Sequence, residues 1–125
     1  MKYIVLIYND PKLLGAMPKE EFNSTMRDCL SHADEMVRKG SLLESQMLED
    51  PSTARSVRIR GGKRMVTDGP FIETKEFLGG FNIIEADNME EAEKLADNFP
   101  WASVGCVEIR PIRDIGGVRK AVGAG

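Results

Sequence analysis

After Lys2, the opening stretch Tyr3-Ile4-Val5-Leu6-Ile7-Tyr8 has no polar alternation, and every side chain is apolar or aromatic. A strand of that kind is stable only when both of its faces are covered, so the stretch predicts a central strand in a layered fold. Asn9-Asp10-Pro11 ends it with turn chemistry. The chain offers few elements to do the covering. Pro18-Lys19-Glu20-Glu21 opens a helix, with proline in the first turn and acids at the positive end of the dipole. Phe22, Met26, Cys29, Ala33 and Met36 then form its apolar stripe, widened by Leu30 and Val37, and Gly40 closes it. Asp87-Asn88-Met89-Glu90 has capping-box spacing. Met89, Ala92, Leu95, Ala96 and Phe99 give a second helix its apolar face, and Pro100-Trp101 ends it.

Strand patterns fill the intervals: 41–48, 53–60, 64–67, 81–86 and 104–109. Gly61-Gly62 marks a tight turn between the second and third of these. The order predicts an α+β fold, a ferredoxin-like βαββαβ arrangement with an inserted β-hairpin. Domain 1–113 is followed by a loosely ordered tail, 114–125, weakened by Gly116-Gly117. Two helices cover one face of such a sheet. The other would expose an apolar patch unless a second copy closed over it, which predicts a homodimer with a dimeric α+β barrel.

A chain of 125 residues suits one domain. Seventeen Lys and Arg against twenty Asp and Glu leave a net charge of −3, which argues against a nucleic-acid partner. Arg55, Arg58, Arg60, Lys63 and Arg64 form a basic cluster on the hairpin, of the kind that protects a strand edge. Two separated cysteines, Cys29 and Cys106, make no disulfide framework, and with one histidine they give no zinc spacing. The apolar N-terminus is too short for a signal peptide or a membrane span, so the expected setting is cytoplasmic, with no membrane partner. No cofactor motif is present.

The densest chemistry lies in Asp68-Gly69-Pro70-Phe71-Ile72-Glu73-Thr74-Lys75-Glu76-Phe77-Leu78-Gly79-Gly80. This segment resembles the signature of the DGPF (DGPFAETKE-type) branch of the YCII-related family, D-G-P-F-x-E-T-K-E-x-x-G-G, with all ten named residues in register. Tyr3 to Tyr8 and Val107-Glu108-Ile109-Arg110-Pro111 resemble the family's opening and closing strands. The resemblance implies a ferredoxin-like fold, usually a dimeric barrel, and enzymatic roles for some relatives. In the wider family a histidine on the first helix pairs with an aspartate. Counted back from Gly40, its place falls near Cys29, three residues before His32, the sole histidine.

Asp68, at a strand end before Gly-Pro, is the candidate general base; as a turn residue it would instead accept backbone N–H bonds. His32 is the second catalytic candidate, set against a surface role between Asp28 and Glu35. Phe71, Glu73, Lys75 and Glu76 are candidate binding residues on the loop, or a solvated run of weak ion pairs. Glu108 and Arg110 share the strand face away from Val107 and Ile109, either paired or binding an anionic ligand. The expected function is a metal-independent small-molecule enzyme of isomerase or lyase (dehydrochlorinase) type. The alternatives are a non-catalytic ligand-binding or regulatory module linked to an extracytoplasmic-function sigma factor, which the resemblance suggests as a partner, and a purely structural dimer.

Overall fold

The computed structural model describes residues 1–72 and 74–125. Strand β1 (Lys2–Asn9) leads through a short helix α1 (Pro11–Ala16) to α2 (Lys19–Arg38) and β2 (Leu42–Met47). A hairpin follows, β3 (Arg55–Arg60) and β4 (Lys63–Asp68), then β5 (Phe77–Glu85), α3 (Met89–Ala96), β6 (Gly105–Pro111) and α4 (Ile115–Ala121). The main sheet has four strands in the order β2-β5-β1-β6, antiparallel throughout. It therefore interleaves two split β-α-β units, β1-α2-β2 and β5-α3-β6. Among the described residues β3 and β4 pair only with each other. Among the described residues no helix is long and apolar enough to cross a membrane.

β1 is central, as its composition demands, but its two faces differ. Tyr3, Val5 and Ile7 are buried against the helices with Met36, Leu42, Ile84, Ala92, Ala96, Phe99, Trp101 and Val104. Ile4, Leu6 and Tyr8 alternate to the opposite face and are half-buried. Ile83 and Phe81 of β5 lie beside Ile4 and Leu6 there, and Arg110, Glu108 and Cys106 of β6 flank them on the other side.

Several local expectations shift. α2 ends in a Schellman motif, with Gly40 at φ +78° and the Ser41 N–H donating to Met36 O at 2.9 Å. The wider stripe is only partly used, since Leu30 and Val37 are more than half exposed. The cap of α3 is Asn88, whose side chain accepts from the Glu91 N–H at 2.9 Å, one residue later than the Asp87-Glu90 spacing suggests. Residues 11–16 form α1 because Asp10 caps Lys12 N–H and Leu13 N–H. The tail is helical at 115–121 because Asp114 accepts from the Gly116 N–H at 2.9 Å, although α4 buries none of its residues.

Gly79 and Gly80 belong to β5 rather than to the loop before it. The register slips between Ile7 and Tyr8, which pair with Gly80 and Leu78, so Gly79 is the extra residue of a bulge. A Cβ on Gly79 would stand 2.3 Å from Asn9 Nδ2, and one on Gly80 2.8 Å from Gln46 O. The absent side chains let Asn9 and β2 close onto the strand.

Candidate functional site

The helical side of the sheet is incompletely filled. Between α2 and the ends of β1, β2 and β5 lies a cavity of about 160 Å³. Phe22, Met26, Cys29, Leu30 and Ala33 of α2 form one wall, with Leu14 of α1. These are residues of the predicted helical stripe, so the α2 face that packs the core also roofs the cavity. Phe99 and Trp101 close one end, and the Trp101 ring stands 5.8 Å from that of Phe22. Ile7 and Gly79 to Asn82 supply sheet residues to its lining. A broader depression of about 470 Å³ beside Glu93, Asp97, Val107 and Ile109 is more open to solvent.

The cavity's polar groups are few. Asn82 is 5% exposed, and its Oδ1 accepts from Ser45 Oγ at 2.6 Å. Asn9 Oδ1 is shut off from solvent and has no hydrogen-bond partner among the described residues. An acceptor left that way costs about 1–3 kcal/mol. The Cys29 thiol is the sole titratable side chain among the described lining residues. Burial pushes its pKa up, and a hydrogen bond from the Trp101 indole opposes that shift. The thiol is therefore protonated at neutral pH, an inert form for nucleophilic attack.

The sequence candidates are distributed away from this cavity. Asp68 ends β4 with its carboxylate 93% exposed, 3.7 Å from Arg55, and does not line the cavity. The turn is held instead by the Gly69 N–H donating to Ala54 O and by Ser56 Oγ donating to Gly69 O. His32 is exposed on α2, and neighbouring Glu35 pairs with Lys39 at 3.1 Å, which lowers its pKa. Phe71 is exposed under the Arg58 guanidinium, 4.7 Å from the ring centre. Glu73 lies outside the described residues. Lys75 reaches buried Asp10, next to Asn9, at 3.8 Å, and the carbonyl of Glu76 accepts from Thr74 Oγ1. Of the candidate binding residues, Lys75 thus comes near the cavity rim. Glu108 and Arg110 are exposed on the open sheet face. Burial, and then the negative charge of the neighbouring Glu108 carboxylate, push the Tyr8 pKa up. Among the described residues no three His, Cys, Asp or Glu side chains converge as a metal site.

Sequence reasoning missed Asn9 and Asn82. Asn9 read as turn chemistry. Asn82 was visible as a lone amide inside the apolar run Phe81 to Ile84, and such a residue needs a partner when buried.

A model of the YCII-related domain matches residues 1–116 of the chain. An uncharacterized protein of Rhizobium meliloti (strain 1021) is 38% identical over 114 residues, covering 90% of this chain and 92% of that one. Among solved structures, the fold is similar to that of 5-chloro-2-hydroxyhydroquinone dehydrochlorinase from Burkholderia phenoliruptrix AC1100, in complex with 2,5-dihydroxybenzoquinone. The TM-score is 0.50 at 13% identity, over 90% of this chain and 94% of that one.

Proposed function

The chain belongs to the YCII-related family, and from that premise we propose that it binds a small organic molecule in the cavity beneath α2 as a ligand-binding module. The observation that carries this reading is a ring-sized cavity whose lining is mostly apolar and includes the amide side chains of Asn9, Gln46 and Asn82. Such a combination is what a binding site needs: area for the hydrophobic effect and one or two polar groups for orientation. Binding takes precedence over proton-transfer catalysis because no carboxylate or imidazole is among the described lining residues. A thiol with a raised pKa is a poor proton carrier at neutral pH.

A second reading is turnover of the lyase or isomerase type in the same cavity, without metal. The fold likeness to a dehydrochlorinase supports it, whereas Cys29, near the place that the family resemblance gives to a histidine, departs from the family's pattern and counts against it. Incubation of the protein with a panel of small ring compounds, followed by thermal-shift and mass-spectrometric readout, separates the two. Stabilisation without conversion supports the binding module. Conversion that Cys29→Ser abolishes supports the enzyme. A panel that leaves the melting temperature unmoved refutes both.

The second half of the proposal concerns assembly. Ile4, Leu6, Tyr8, Phe81 and Ile83 form a continuous apolar face opposite the helices. A second copy laid on that face would remove it from water, and Glu108 and Arg110 would then rim the interface. A monomer mass by sedimentation at micromolar concentration would refute the dimer.

A further inference from the structure

The hairpin of β3 and β4 lacks a cover. Among the described residues its strands pair only with each other, and every residue of β4 is exposed. A lone two-stranded hairpin is marginally stable in water and needs a surface to pack on. Its register supplies an apolar patch for that purpose. Val57 stands opposite Val66, Ile59 follows two positions along on the same face, and all three are exposed. Arg64, opposite Ile59, shares that face.

Charge identifies what the patch fits. Residues 55–68 carry five cations and one acid, net +4, in a chain of net −3, so the other residues carry −7. The mirror balance lies at α3, where residues 87–97 carry five acids and one cation, net −4. Beside α3 the depression of about 470 Å³ is lined by Phe99, Val107 and Ile109 together with Glu93 and Asp97. Val107 and Ile109 are only half-buried there. An apolar lining with acids is complementary to an apolar hairpin face with Arg64 beside it. The hairpin does not fill the depression of its own chain, and none of its residues lines it. It leaves from β2 and returns into β5, whereas β6 is the opposite edge of the sheet, about 14 Å from β2 at the ordinary strand spacing.

A second copy brings the two together. Met47 pairs with Gly80, and Asn9 with both Phe77 and Gly105, so the hairpin and the start of β6 lie at the same end of the strands. With the open faces paired about a two-fold axis along the strands, the β2 edge of one copy lies over the β6 edge of the other, at that same end. We propose that the hairpin is a clasp: Val57, Ile59 and Val66 of each copy pack into the depression between α3 and β6 of the other, and Arg64 faces Glu93 and Asp97. This rests on the reading that the open sheet faces pair, and it adds a contact that the reading itself does not require. Two-fold symmetry forms the contact twice, so one substitution disturbs it twice.

The test has two arms. Isotope-labelled and unlabelled parent protein are refolded together, shown by native mass spectrometry to hold mixed dimers, and treated with a carbodiimide, which joins a carboxylate to an amine in contact with it. Linked peptides of mixed isotope joining Lys63 to Glu93 or Asp97 are expected, and this arm needs no variant to fold. In the second arm, sedimentation of Arg64→Glu, its fold checked by circular dichroism, should give a dimer dissociation constant weaker by about tenfold or more, because a like charge then meets both acidic linings. Adding Glu93→Arg to that variant should restore the dimer. A parent dimer whose links are absent or of one isotope only overturns the clasp and leaves the paired faces, as does an unchanged dissociation constant in a folded Arg64→Glu. A parent that sediments as a monomer at micromolar concentration overturns the clasp together with the face pairing beneath it.

Discussion

Filling the cavity from inside is the sharpest test of its reality, and Ala33→Leu does so from the α2 wall. Leucine is close to alanine in helix propensity, so α2 itself is little affected. The substitution adds three carbons beside a space of about 160 Å³. Each buried methylene contributes about 0.8 kcal/mol, against about 0.5–1 kcal/mol for fixing the leucine rotamer. The net expectation is stabilisation of about 1.5 kcal/mol, which raises the melting temperature by roughly 4–9 °C for a chain of this size. Thermal and urea unfolding followed by circular dichroism measure it, and the same variant should lose any stabilisation by small ring compounds. Were the site already filled, the added carbons would overpack it and cost about 1–3 kcal/mol. A loss of that size with the response to ring compounds intact would refute the reasoning.

Further outcomes follow from particular contacts. Gly105→Ala places a Cβ 1.8 Å from the Tyr8 carbonyl oxygen, so unfolding midpoints should show a loss near the upper end of the overpacking range, about 3 kcal/mol; a neutral variant would contradict the β1–β6 approach. Asp68→Asn should leave the affinity for any ring compound that binds unchanged in a titration, because the carboxylate is exposed and paired with Arg55; a tenfold loss would mean that the hairpin reaches a cavity in the assembled protein. The raised Cys29 pKa makes its contribution to stability complete below the ordinary thiol value of about 8.5. That contribution is lost as pH rises toward the folded value, since the unfolded chain gives up the proton first. Melting temperatures of the parent and Cys29→Ala should therefore converge between neutral pH and the alkaline range, and a constant difference would refute the shift.

The element order, the central position of β1, the apolar stripe of α2 and the opposite faces of Val107 and Glu108 follow from periodicity, because each depends on residues a few positions apart. The DGPF-type segment likewise pointed to the family that the chain proves to join. It did not point to the cavity. Its acidic residue Asp68 is carried off on a hairpin that, among the described residues, pairs only with itself, while its glycines enter the cavity wall through a bulge whose register depends on β1. The N-cap bond at Asp114 outweighed the low helix propensity of Gly116 and Gly117. Tertiary structure alone brought Asn9, Cys29, Asn82 and Trp101 around one space. They lie in four separate segments, and no local pattern encodes the gap that remains when a helix, three strand ends and a turn pack together.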